Sequence, residues 1–61
     1  METAELIDYA HPMMMAENRL KAAHNELLHG DMEKGLEELT QAIVETRLAA
    51  AAVRHMMEKR R

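Results

Sequence analysis

The sequence predicts an all-α helical hairpin that homo-oligomerisation completes into a helical bundle, and three observations support this fold class. Mainly apolar residues recur at alternating spacings of three and four, which aligns them on one side of a helix. They form a first stripe, Met13, Ala16, Leu20, Ala23 and Leu27, and a second, Met32, Leu36, Leu39, Ile43, Thr46, Ala50, Val53 and Met57. Gly30-Asp31 separates the stripes, as expected where one helix ends and another begins. The chain offers no third long element to cover both stripes, so further copies of the chain are expected to finish the core.

Length and composition limit the protein to one domain, residues 1–61, and exclude several classes. The 61 residues include no Cys, which rules out disulfides and thiolate metal sites. Chains of this size usually need reinforcement, and oligomerisation remains available. The net charge of -3 argues against a nucleic-acid coat or adhesion to an anionic membrane. With no membrane-spanning apolar run and an acidic start, Met1–Glu5, we expect a soluble protein of the cytoplasm.

The N-terminal segment, residues 1–11, is predicted to hold a short helix over 3–10 with Thr3 as its N-cap. Pro12 lacks an N–H and disfavours helical backbone at His11, so His11 is expected to be extended. Pro12 also suits the first position of a helix, and the first long helix is therefore predicted over residues 12–29.

Gly30 is predicted to close this helix in the left-handed conformation, and Asp31 to cap the second helix, residues 31–60. The second helix is longer than the first, so its last dozen residues are expected to extend beyond its partner. The run Ala49–Ala52 permits close helix approach, although it also fits simple helix propensity.

Catalytic and metal-binding patterns are weak, and the chain is not expected to be an enzyme or to hold a cofactor. Ser and Cys are both absent. Glu26 and His29 have the Glu-x-x-His spacing of di-iron helical bundles, but one copy at a helix end is interpreted as chance. The seven Met residues are interpreted as large core or self-association fillers, with an adaptable binding groove as the alternative.

The basic residues and the only aromatic residue allow two interpretations each. Cations crowd the C-terminus, where they either stabilise the helix end or form a phosphate-binding patch: Arg54, His55, Lys59, Arg60 and Arg61. Tyr9 either stacks on a base or covers the overhanging part of the second helix. An antiparallel hairpin brings Arg47 and Arg54 to the same end as Tyr9.

The stretch His29–Leu36, followed by Leu39, Ala42 and Ile43, resembles the turn and second helix of a tetratricopeptide unit. That unit has Gly-Asp at the turn and a small residue four positions later, here Gly35. The second helix continues through Arg47, where the tetratricopeptide family usually breaks at Pro. We interpret the match as a shared hairpin pattern, because a single unit cannot bury its own apolar face.

A second resemblance covers most of the chain. The stretch Tyr9-Ala10-His11-Pro12 and the Ala-rich helix around Glu45–Ala49 resemble the small phage sponge proteins of the anti-CBASS and anti-Thoeris families. This resemblance implies a non-enzymatic homo-oligomer that sequesters a cyclic oligonucleotide immune signal between subunits, in the host cytoplasm if the chain is phage-encoded. The resemblance implicates Tyr9 as the stacking residue, Lys21 or Arg47 on phosphate and Thr46 on a base edge, with His11 in the matching stretch. Arg54, which the antiparallel hairpin brings to the same end, completes the predicted ligand-binding residues.

The alternative function is an interaction module, in which the hairpin dimerises into a four-helix bundle and binds a protein or RNA partner. Under that interpretation Tyr9 is expected to be buried. The exposed polar face is then expected to consist of Arg19, Glu26, Glu37 and Glu38.

Overall fold

A computed structural model describes the backbone of residues 9–60 and the side chains of residues 9–59. It shows two antiparallel helices, α1 (Ala10–Leu28) and α2 (Met32–Arg60), and no strand between residues 9 and 60. The all-helical hairpin that the two stripes predict is therefore confirmed. The predicted helix over residues 3–10 lies outside the described residues except at its last two positions.

The start of α1 differs from the prediction made from Pro12. The helix begins at Ala10, so His11 is helical rather than extended and Pro12 is the third helical residue. The first helical hydrogen bond runs from the Met13 N–H to the Tyr9 carbonyl, 3.1 Å. Because the first backbone N–H groups of any helix have no partner inside it, Pro12 costs α1 no hydrogen bond in this position.

The turn between the helices follows the prediction closely. Gly30 has a φ of 84°, in the left-handed region that glycine adopts without steric cost. The N–H groups of Gly30 and Asp31 donate to the carbonyls of Leu27 and Glu26, the paired bonds of a Schellman motif. The Asp31 carboxylate then accepts a hydrogen bond from the Lys34 N–H at 3.0 Å, which confirms Asp31 as the cap of α2.

The two helices pack through small residues, a contact that we call the alanine seam. Every buried side chain between residues 9 and 59 is an alanine: Ala16 and Ala23 on α1, and Ala42, Ala49 and Ala52 on α2. Gly35 is buried beside them. Of the predicted second stripe, no residue is buried, because the small residues of α2 let the backbones approach and leave the large side chains at the flanks.

Gly35 leaves room for the Leu27 side chain where α1 and α2 pack together. A Cβ atom built on Gly35 would lie 2.7 Å from Cγ of Leu27, well inside van der Waals contact. The Leu27 side chain therefore occupies the space that any other residue at position 35 would need. Glycine weakens a helix, but at position 35 it leaves the space that Leu27 occupies next to the turn.

The C-terminal part of α2 is not covered in the described structure. Every side chain from Val53 to Lys59 is exposed, whereas Ala52 is buried. A helix of 29 residues is about 43 Å long and one of 19 residues about 28 Å. The predicted overhang of α2 is thus present.

Candidate interaction face

Large apolar side chains from both helices lie together on one side of the alanine seam. We call this surface the leucine face and define it by the residues that line two adjoining hollows, Leu20, Leu27, Leu28, Leu39 and Ile43. Leu20 is 50% exposed, Leu28 73% and Ile43 52%. Scattered exposed leucines are ordinary, but a contiguous apolar patch on a small protein indicates an interaction site.

Three shallow hollows on this face share Leu20. One is lined by α1 residues together with Leu39 of α2. A second is lined by Leu20, Leu39, Ala42, Ile43, Thr46 and Arg47, and so lies across both helices. A third is lined by Leu20, Lys21, His24, Asn25 and Leu28 on α1 alone. Leu20 is therefore the centre of the leucine face.

The opposite flank of the seam is polar. An Arg19 guanidinium nitrogen of α1 donates to a Glu38 carboxylate oxygen of α2 at 3.1 Å, with both side chains partly covered. The Arg19 Nε atom is buried and has no hydrogen-bond partner. Glu26 and Glu45 are also half-buried. Of the polar face predicted for the interaction module, only Glu37 is exposed; Arg19 and Glu38 instead connect the two helices.

Three of the six predicted ligand residues border hollows on the leucine face. Thr46 and Arg47 line the hollow that lies across the helices. Lys21 lines a neighbouring hollow that shares Leu20. None of the three hollows includes Tyr9, His11 or Arg54, and all three of these side chains are exposed.

Two of these residues have local roles. The Thr46 hydroxyl donates to the Ala42 carbonyl one turn earlier at 2.7 Å, which leaves only its acceptor lone pairs for a ligand. Tyr9 is the N-cap residue of α1 and makes no side-chain capping bond. Its side chain is 41% exposed in the single chain, and the burial expected for the interaction module, which concerns the paired hairpins, stays a prediction. Tyr9 lies at the open end of the hairpin, beyond the first buried alanine of α1.

The His29 side chain has a local structural role. The His29 Nδ1 atom lies 2.7 Å from the Asn25 carbonyl and, as a donor, satisfies an oxygen at the end of α1. Within residues 9–59, no group of three or more potential metal ligands is close enough to hold an ion. Neither α1 nor α2 combines the length and hydrophobicity that a membrane span requires.

Sequence reasoning missed two features of this surface. The Arg19–Glu38 pair depends on the register of α1 against α2, which the spacing within one helix does not contain. The alanine seam had a readable signal, since Gly35, Ala42 and Ala49 recur every seven residues in α2. This repeat of small residues was overlooked, because apolar stripes are normally identified from large residues.

No protein-family model matches this chain, and no curated protein or solved structure does so either.

Proposed function

We propose that this chain is a non-enzymatic interaction module that pairs with a second copy of itself through the leucine face. Two hairpins joined in this way form a four-helix bundle, and the bundle presents its polar flanks to a protein partner. The observation that carries the proposal is the exposure of the leucine face beside a seam made only of alanines. The acidic net charge disfavours RNA as the further partner.

The alanine seam provides little of the burial that a folded chain needs. Burying one methyl or methylene group contributes roughly 0.8 kcal/mol, whereas burying a whole leucine contributes about 1.5–3 kcal/mol. Between residues 9 and 59 no leucine, isoleucine, valine or methionine is buried. Covering the leucine face therefore adds burial of large apolar side chains, which the alanine seam does not provide.

A second copy fits the leucine face better than another occupant does. The leucine face is exposed whenever the hairpin folds, and other copies of the chain are present wherever the chain is made. Both helices contribute to the face, which is elongated along a hairpin of 47 × 18 × 11 Å. Two such flat surfaces stack into the square cross-section of a four-helix bundle, with helices about 8–10 Å apart.

Thermal unfolding followed by circular dichroism tests this proposal. Because folding and pairing are coupled, we expect the melting temperature to rise by several degrees for each tenfold increase in chain concentration. A melting temperature that is independent of concentration between about 1 and 100 μM, together with a monomeric mass in sedimentation, would contradict self-association.

Sequestration of a cyclic oligonucleotide is the second candidate function. It is supported by Lys21 and Arg47, the two residues implicated on phosphate, which border hollows that share Leu20. Under this proposal, Tyr9→Ala and Arg47→Glu each abolish binding of a cyclic dinucleotide in calorimetry and leave the helical circular dichroism signal unchanged. The conservative change Tyr9→Phe keeps the stacking ring and serves as the control. Equal affinity of Tyr9→Ala and the unchanged chain would overturn this candidate.

A further inference from the structure

Helical spacing puts two opposite charges, one on each helix, at about the same height on the leucine side of the hairpin. Leu20 of α1 shares a hollow with α2 residues from Leu39 to Arg47. Glu17 precedes Leu20 by three residues, which places it about 4.5 Å nearer the open end. In α2, which runs antiparallel to α1, residue numbers increase toward the open end of the hairpin. Arg47 therefore also lies nearer the open end than Ile43 does.

Helical spacing places Glu17 and Arg47 on the same side of the hairpin as the leucine face. Glu17 lies between Met13 and Leu20 in the stripe of α1, four residues after one and three before the other. Arg47 follows Ile43 by four residues in α2. Both side chains are exposed.

Neither charge has an ion-pair or hydrogen-bond partner among residues 9–59. The ion pair formed between residues 9 and 59 is Arg19–Glu38, on the other flank of the seam. Lys21 is one turn from Glu17 on the same helix, yet the two form no ion pair in this part of the chain. Glu17 and Arg47 are therefore available to a neighbouring molecule at the level where the leucine face is centred.

We infer that α1 of each copy lies antiparallel on α2 of the other, with Glu17 of each copy paired with Arg47 of the second copy. A two-fold axis parallel to the helices produces this arrangement, since it preserves height and exchanges the positions of α1 and α2. Two equivalent Glu17–Arg47 pairs then flank the buried leucines. The inference rests on the proposed self-association and specifies its geometry.

The competing arrangement stacks α1 on α1 and α2 on α2 about an axis perpendicular to the helices. That axis inverts height, so Glu17 and Arg47 of different copies are carried to different levels and do not meet. The two arrangements bury the same leucines. They differ in the charges they bring together, which makes charge exchange the appropriate test.

Mixing two variants of the full chain distinguishes these arrangements. In homodimers of Glu17→Arg, the introduced arginine faces Arg47 twice, and in homodimers of Arg47→Glu, two carboxylates face each other twice. We expect each variant alone to dimerise about tenfold more weakly than the unchanged chain, because like charges at an interface repel. Mixed in equal amounts, the two variants are expected to form a heterodimer. One of its pairs is the original Glu17–Arg47, and the other joins the introduced arginine at position 17 to the introduced glutamate at position 47. Native mass spectrometry with one variant isotope-labelled measures the heterodimer fraction.

The matched control mixes Glu37→Arg, in place of Glu17→Arg, with Arg47→Glu. Glu37 is an exposed residue of α2 that lines none of the hollows on the leucine face. This control should show no preference for heterodimers with Arg47→Glu beyond the statistical half. A statistical mixture for Glu17→Arg with Arg47→Glu, from variants that still dimerise, would overturn the inferred arrangement and leave self-association intact. If the unchanged chain and every variant were monomeric, the proposed self-association itself would fail.

Discussion

Replacing Leu20 by lysine is expected to weaken pairing of the chain by at least about 100-fold. Leu20 borders all three hollows of the leucine face, and in the proposed dimer each copy buries it against the other. Because Leu20 is 50% exposed in a single hairpin, losing both copies from the interface removes about 1.5–3 kcal/mol, and covering two charges adds to this cost. Sedimentation equilibrium measures the dissociation constant directly.

Leu48→Lys is the matched control for this prediction. Leu48 is 55% exposed, close to the 50% of Leu20, and has the same side chain within a helix. It lines none of the three hollows of the leucine face. We expect Leu48→Lys to pair within about threefold of the unchanged chain, in line with ordinary surface substitutions. Equal weakening by both substitutions would mean that general hydrophobicity, and not the leucine face, drives association.

The second large effect is expected from enlarging the alanine seam. Ala42 is only 3% exposed where α1 and α2 pack together. Leucine at this position adds three carbon atoms to a contact that works because its residues are small. Overpacking a core typically costs 1–3 kcal/mol, and we expect Ala42→Leu to lower the free energy of unfolding by about 3 kcal/mol. Urea unfolding at a fixed chain concentration measures the change.

Ala51→Leu makes the same chemical change on an exposed position of the same helix. Alanine and leucine have similar helix propensities, so this control is expected to shift the free energy of unfolding by no more than about 0.5 kcal/mol. The contrast between positions 42 and 51 tests the packing alone. If Ala42→Leu were as well tolerated as Ala51→Leu, the helices would not meet at the alanine seam.

Local sequence signals predicted the parts of the fold that depend on neighbouring residues. Gly30 and Asp31 determine the turn through backbone freedom and a side-chain cap, and both act within a few positions of themselves. The start of α1 was less predictable, because a proline is tolerated at any of the first helical positions. His11 is helical for that reason, although a residue before proline usually is not.

The packing of the helices depended on information that single-helix patterns do not hold. Large apolar residues dominate a stripe, yet the chain places the small ones between the helices and the large ones outside. This arrangement has a physical reason in the proposed dimer, because two leucine faces packed together bury more apolar area than a single hairpin can. The exposed stripe is thus consistent with the predicted oligomer.

The candidate site was predictable in part. Thr46 and Arg47 are sequence neighbours, so their proximity follows from any helical register. Lys21 joins them only through Leu20, which depends on how α1 lies against α2. Tyr9, His11 and Arg54 lie toward the open end, where the second helix extends beyond the first.

Native mass spectrometry of the chain, purified gently from cells, shows whether a second copy is bound. We expect a dimer of about 14 kDa, twice the 7.0 kDa of one chain, with no added mass. A monomer at concentrations of tens of micromolar would contradict the claim that a second copy covers the leucine face. A higher oligomer carrying extra mass of nucleotide size would contradict the four-helix bundle and favour the sequestration of a cyclic oligonucleotide.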